Sequence, residues 1–121
     1  MAQLLLVEDD AAIRHALVRA LNERGHAVSS TGTALEALEQ VVAAPPDLVI
    51  LDLGLPGLDG FGVARRLRQN PATARANLVA ITGYSSEEMR RRAYESGFEH
   101  FLTKPADPAE LERLLAALPG P

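Results

Sequence analysis

Four places in this chain put chemically capable side chains directly after short apolar runs. Glu8, Asp9 and Asp10 follow Leu4–Val7, Asp52 follows Leu48–Leu51, Thr82 follows Leu78–Ile81, and Lys104 follows Phe101–Thr103. An unpaired carboxylate at the end of such a run costs several kcal/mol to bury or else changes protonation, so Asp52 calls for a cation beside it. The chain offers one distinctive candidate. Eleven of its twelve basic residues are arginine, and Lys104 is the single lysine. Glu8, Asp9 and Asp52 together carry three negative charges, whose repulsion would raise their pKa values unless cations answered them. A Mg²⁺ ion and the Lys104 ammonium supply three positive charges, which closes the balance. Mg²⁺ suits a set of hard oxygen donors and usually keeps waters or phosphate oxygens in its shell. With no cysteine in the chain, and with His15, His26 and His100 scattered and read as structural or solvated, no softer metal competes. Asp10 is assigned a different task, the N-cap of the helix that follows.

The elements that carry these residues alternate along the whole length. Strands are expected at Leu4–Val7, Ala27–Ser30, Leu48–Leu51, Leu78–Ile81 and Phe101–Thr103. The third and fourth runs are continuously apolar, as in parallel strands covered on both faces. Helices lie between them. The first presents Ile13, Ala16, Leu17, Ala20 and Leu21 on one face and ends at Gly25, and the last presents Leu111, Leu114, Leu115 and Leu118. Capping boxes are read at Thr33 with Glu36, Ser85 with Glu88, and Asp107 with Glu110, the last with Pro108 at the first helical position. Asp59-Gly60 starts the third helix and Gly97 ends the fourth. Five strands and five helices in strict alternation predict an α/β fold with a parallel sheet, right-handed crossovers and helices on both faces. The expected strand order is 2-1-3-4-5. Glu8, Asp9, Asp10, Asp52, Thr82 and Lys104 then fall on the carboxyl edge of the sheet, at the switch point where such folds bind ligands.

Composition narrows the functional classes. The 121 residues suit one domain spanning 1–121, with 47% hydrophobic and 23% charged residues and a net charge of −4. Mild acidity and 4% aromatics disfavour nucleic-acid binding, which wants a basic face and stacking rings. The first apolar run is too short for a signal peptide or membrane span, so a cytoplasmic location with no membrane partner is expected. No glycine-rich phosphate cradle of the GxxxxGK[ST] kind occurs, which argues against nucleotide binding. Gly54 and Gly83 keep the approach to Asp52 and Thr82 open, while Leu55-Pro56-Gly57 shapes a turn beyond Asp52.

Leu6-Val7-Glu8-Asp9, Leu51-Asp52-Leu53-Gly54-Leu55-Pro56-Gly57-Leu58-Asp59-Gly60, Ile81-Thr82-Gly83 and Leu102-Thr103-Lys104-Pro105 resemble the bacterial response-regulator receiver domain. The resemblance runs from about Gln3 to Leu118 and is similar to chemotaxis regulators, with the stretch from Ile81 to Phe101 similar also to receivers of hybrid histidine kinases. It implies a three-layer, flavodoxin-like (βα)5 domain that takes a phosphoryl group from a phosphohistidine, on a sensor histidine kinase or phosphotransfer protein, onto Asp52. It implies that Asp9 and Asp52 ligate Mg²⁺ with the Gly54 carbonyl while Glu8 acts through water, and that Lys104 holds a phosphoryl oxygen. Thr82 would swing to a further phosphoryl oxygen and Phe101 would follow, with Pro105 after a cis bond that aims Lys104. The signalling face would be the fourth helix, fifth strand and fifth helix, in a monomer or a weak phosphorylation-dependent dimer. Two features depart from the commonest pattern. The switch ring is Phe101 rather than tyrosine, and Gly54 has no side chain to shield the phosphoryl group.

Two other functions compete. An aspartate-nucleophile phosphohydrolase generally needs a second acid two residues after the nucleophile, and Gly54 stands there. A degenerate receiver acting only as a binding module does not need the intact set Glu8, Asp9, Asp52, Thr82 and Lys104. Only one helix is expected after Lys104, so no DNA-binding domain is anticipated. The chain then reads as a phosphoacceptor rather than an enzyme: a single-domain regulator, a relay intermediate or a domain of a hybrid kinase. Its residues name neither the kinase nor the downstream target.

Overall fold

A computed structural model of the chain describes residues 3–54, 59–83, 86–104 and 107–117. The elements run β1 (Gln3–Val7), α1 (Ala11–Glu23), β2 (Ala27–Thr31), α2 (Ala34–Ala43), β3 (Leu48–Asp52), α3 (Gly60–Gln69), β4 (Asn77–Thr82), α4 (Glu87–Ser96), β5 (His100–Thr103) and α5 (Pro108–Ala117). The strands form one parallel sheet in the order β2-β1-β3-β4-β5. This is the predicted α/β architecture and order.

The continuous apolar runs work because alternate residues serve opposite layers. Leu5, Val7, Val49, Leu51, Leu78, Ala80 and Phe101 pack against α2, α3 and α4. Leu4, Leu6, Leu48, Ile50, Val79, Ile81 and Leu102 pack against α1 and α5. The parity continues past the strand ends. Glu8, Asp52 and Lys104 fall on the α1/α5 side, whereas Thr82 shares its side with Phe101, because Ala80 pairs with Phe101 and Thr82 with Thr103.

Caps delimit the helices largely as read. Asp10 accepts from the Ile13 N–H at 3.0 Å, and Thr33 from the Glu36 N–H at 3.2 Å while its hydroxyl donates to the Glu36 carboxylate at 3.0 Å. Asp59 caps α3 through the Phe61 N–H and Asp107 bonds the Ala109 N–H. Gly97 closes α4 at φ +114°, a left-handed conformation where a Cβ would also meet Arg68 Cγ at 2.9 Å. Helix α1 ends at Glu23, one residue before the Arg24 cap, and Gly25 follows at φ +92°.

Three readings are corrected. The cap of α4 is Ser86, whose hydroxyl accepts from the Met89 N–H at 3.1 Å, one residue after the expected cap. Two adjacent serines are equivalent caps by composition, so residue type alone does not choose between them. Second, Ile13 and Ala16 do not join the core: Ile13 is 40% exposed, and only Leu17 and Leu21 of the predicted stripe are fully buried. Ile13 and Ala16 instead line an open cleft with Ile81, Lys104 and Pro108. Third, Asp52 and Thr82 are the last residues of β3 and β4 rather than residues after them. Backbone pairing continues even further, with the Leu53 N–H on the Ile81 carbonyl and the Lys104 N–H on the Thr82 carbonyl, each at 2.8 Å. The expectations at Leu55-Pro56-Gly57, Ser85, Pro105 and Leu118 lie outside the described residues.

Candidate functional site

Because the ladder carries on to residues 53 and 104, the side chains at its edge are held on a hydrogen-bonded backbone. The Glu8 N–H likewise bonds the Thr31 carbonyl at 3.1 Å. On this frame Lys104 Nζ donates to Asp52 Oδ2 at 2.6 Å and lies 2.9 Å from Glu8 Oε1. The second oxygen of each carboxylate is also engaged. Asp52 Oδ1 accepts from the Gly54 N–H at 2.8 Å, and Glu8 Oε2 accepts from the Asp10 N–H at 3.1 Å. Glu8 and Asp52 are almost wholly buried, at 1% and 3% exposure, whereas Asp9 is exposed.

One ammonium therefore serves two buried carboxylates. Burial pushes the Glu8 carboxyl above its ordinary range, and the Asp52 charge and the Asp9 side chain add to this. The Asp10 N–H and Lys104 pull it back without cancelling the rise. For Lys104, burial alone would lower the ammonium's pKa, but its bonds to Asp52 and Glu8 and their negative charges outweigh that and hold it above its ordinary value.

Carboxylate oxygens of Glu8, Asp9 and Asp52 all lie within 4.8 Å of one another. Lys104 answers one of their three charges. The remainder, two negative charges on hard oxygen donors at the mouth of a cleft, fits a divalent cation of the Mg²⁺ or Ca²⁺ kind. Glu8 and Asp52 each have both oxygens engaged, whereas Asp9 is exposed at the edge of the cluster.

The structure thus brings together Glu8, Asp9, Asp52, Gly54 and Lys104, with Thr82 buried at the neighbouring strand end and Phe101 beneath it on the same face. Gly54 is exposed, and a Cβ there would sit 3.3 Å from Asp52 Oδ1; a Cβ on Gly83 would meet open space. Two arginines escaped the sequence reading. Arg14 Nη1 donates to the Glu8 carbonyl at 2.8 Å and steadies the turn that carries Glu8 and Asp9. Its position one turn into the helix after the acidic run is a signal that could have found it. Arg90 lies over the Phe101 ring, 5.5 Å from its centroid. Of the histidines, His26 is a paired structural residue, 2.7 Å from Glu112 of α5.

The family described as "Response regulator receiver domain" matches residues 4–116. The chain is 35% identical to the transcriptional regulatory protein AfsQ1 of Streptomyces coelicolor over 98% of its own length and 51% of that protein. It spans about half the length of several such curated regulators, among them PhoB of Pseudomonas aeruginosa at 50%. Among solved structures it resembles the chemotaxis protein CheY4 of Vibrio cholerae, with a TM-score of 0.90 at 27% identity, covering 96% of this chain and 97% of that one. It also resembles the receiver domain of the sensor histidine kinase PA1611 of Pseudomonas aeruginosa, solved with magnesium coordinated in its active-site cleft. The TM-score there is 0.84 at 27% identity, with 94% and 93% of the two chains covered.

Proposed function

Because the chain belongs to the response regulator receiver domain family of two-component signal transduction, we propose that Asp52 is its phosphoacceptor. An Asp52 carboxylate oxygen attacks the phosphorus of a phosphohistidine in line, the P–N bond breaks with the imidazole as leaving group, and an acyl phosphate forms on Asp52. Such a transfer asks little covalent work of other groups and much of positioning and charge neutralisation. Lys104, already 2.6 Å from Asp52, supplies a fixed positive charge for a phosphoryl oxygen. Asp9 and Asp52 with the Gly54 carbonyl would hold Mg²⁺ directly and Glu8 through water, and the ion would supply charge neutralisation for the phosphoryl group. Thr82 turns its hydroxyl toward the new phosphoryl oxygen, and Phe101, on the same sheet face, follows. The face of α4, β5 and α5 passes the signal to a protein partner, or the phosphoryl group moves on.

The observation that carries this reading is the pair of buried carboxylates sharing one ammonium beside an exposed third acid. The phosphodonor is a sensor histidine kinase or a histidine phosphotransfer protein. The domain occupies the whole of 1–121, works in the cytoplasm without nucleic acid or membrane, as a monomer or weak phosphorylation-dependent dimer, and is not a turnover enzyme. Gly54 speaks against the phosphohydrolase alternative, since it offers no acid two residues beyond Asp52 to protonate a leaving group.

Incubation with acetyl phosphate and Mg²⁺, followed by intact-mass measurement, tests the assignment. Wild type should gain one phosphoryl group and Asp52→Asn none. Uptake by Asp52→Asn at the wild-type level refutes it, and sustained hydrolysis of small phosphate esters would favour the phosphohydrolase.

A further inference from the structure

Phe101 is the ring that joins the site's sheet face to α4. It lies two residues before Thr103, whose β4 partner is Thr82, so ring and hydroxyl occupy one face of the sheet. Its inner side is packed in the cluster beneath α2, α3 and α4. The ring is only 6% exposed, and over it stands the exposed Arg90, its guanidinium carbon 5.5 Å from the centroid, inside the range of a cation–π contact. The neighbouring Arg91 reaches instead to Glu95 on the solvent side, at 3.9 Å. Helix α4 is otherwise anchored by buried Ala93 and Ser96, half-buried Met89, and Arg92, whose guanidinium carbon stands 4.4 Å from the Phe61 ring centroid. A phenyl ring has no hydroxyl with which to hold a position, so its quadrupole is its one polar handle. Arg90 grips that handle.

We propose that Arg90 is the latch of the switch: its guanidinium holds Phe101 in the arrangement in which Asp52 is an unmodified carboxylate paired with Lys104, and so sets how readily the domain takes up the phosphorylated arrangement. This rests on the reading that modification of Asp52 draws Thr82 and then Phe101 toward the site. A ring drawn toward the site moves from under the exposed Arg90 guanidinium, and the stack is lost. A contact made in one arrangement and loosened in the other opposes the change by its own worth. It also releases a guanidinium on the signalling face at the moment the domain is modified.

The sign of the effect separates this device from ordinary electrostatics. Removing a positive charge near an anion site should weaken anion binding, whereas removing a latch should strengthen it. The test uses the full chain with Mg²⁺ and beryllofluoride as the phosphoryl analogue, followed by titration calorimetry and by the chemical shifts of the Phe101 ring. Wild type should bind and shift those resonances. Arg90→Gln should bind about two- to fivefold tighter, the population change matching an exposed cation–π contact. Arg90→Lys, which keeps a cation, should gain less. In a Phe101→Leu background, Arg90→Gln should change the affinity by less than about a third of that gain, a cycle that isolates the pair. Unchanged or weaker binding by Arg90→Gln, or an equal gain in the Phe101→Leu background, overturns the latch and leaves the phosphoacceptor reading standing. Failure of wild type to bind beryllofluoride overturns that reading and the latch with it.

Discussion

Replacing Lys104 by methionine removes the ammonium and keeps most of the stem's volume. Asp52 and Glu8 then face each other, both nearly fully buried, with no cation between them. Removing one member of a buried ion pair typically costs about 3–5 kcal/mol, because the remaining charge is uncompensated. The lower end applies, since the Lys104 side chain is 26% exposed and the carboxylates retain the Asp10 and Gly54 N–H groups. A loss of about 3 kcal/mol lowers a urea midpoint by about 1.5–2 M at an m-value of about 1.5–2 kcal/mol per M. It lowers Tm by roughly 10–15 °C for a domain of this size.

The assay is urea unfolding of wild type and Lys104→Met at pH 7 in chelator, repeated with Mg²⁺ and again at pH 4.5. Mg²⁺ should restore much of the loss, because a ligand at about 100 times its Kd adds about 2.7 kcal/mol to the folded state. Acid should narrow the gap as well, because protonated carboxyls need no ammonium. Adding Glu8→Gln should stabilise Lys104→Met by more than it stabilises wild type, a non-additivity expected of groups in one network. A midpoint for Lys104→Met within about 0.3 M of wild type in chelator at pH 7 would refute the reasoning, since that is far below the predicted shift.

Asp9→Ala should keep the fold, because Asp9 is exposed, yet abolish the Mg²⁺-induced rise in Tm and cut acetyl-phosphate labelling with it; wild-type Mg²⁺ titration by this variant would contradict the metal site. Glu8→Gln should stabilise the metal-free protein at neutral pH. The Glu8 carboxyl is raised in the folded state, so its ionisation opposes folding above that raised value, and the cost disappears as pH falls below its ordinary 4.5. The advantage of Glu8→Gln over wild type, read from urea midpoints, should therefore shrink on acidification; an advantage that grew would reverse the assigned sign. For Lys104, held above 10.5, the stabilisation is full below that pH and should be lost only as alkaline titration passes its raised value, seen as a fall in Tm in the strongly alkaline range. Arg68 donates to the Ala74 and Gly97 carbonyls and pairs with Glu99, so Arg68→Met should cost about 2–3 kcal/mol by urea unfolding while leaving Mg²⁺ binding intact.

Much of the site was legible because a parallel α/β sheet turns order along the chain into position in space. Four apolar runs ending in a carboxylate, a hydroxyl or an ammonium, with helices between, leave one arrangement in which those ends converge. The pairing of Lys104 with Asp52 follows from charge once the ends are adjacent. The departures share a cause. Ile13 and Ala16 satisfy the helical period of α1, but periodicity says which residues share a face and not whether that face meets the sheet. Ser85 and Ser86 are chemically interchangeable caps, and residue type alone does not choose between them. Arg14 on the Glu8 carbonyl, Arg90 on Phe101 and Glu112 on His26 are contacts made by long side chains across elements, where no spacing rule operates.

The same distinction bears on how the domain works. The groups that do the chemistry sit on hydrogen-bonded backbone at strand ends, where sequence order places them and where little can move. Lys104 and Asp52 are fixed in this way, by ladder bonds to Thr82 and from Leu53 to Ile81. The groups that respond lie one layer out, on a helix with two buried side chains and a ring held by an exposed cation. Rigid ligands with a weakly tied reporter are what a phosphoryl-driven switch requires. A small electrostatic change at Asp52 must outweigh the contacts it breaks, and contacts of a cation–π kind, worth about 0.5–1 kcal/mol when exposed, are weak enough to be outweighed. The exposed guanidinium on a buried ring is therefore matched to the work: strong enough to bias the resting arrangement, weak enough to let go.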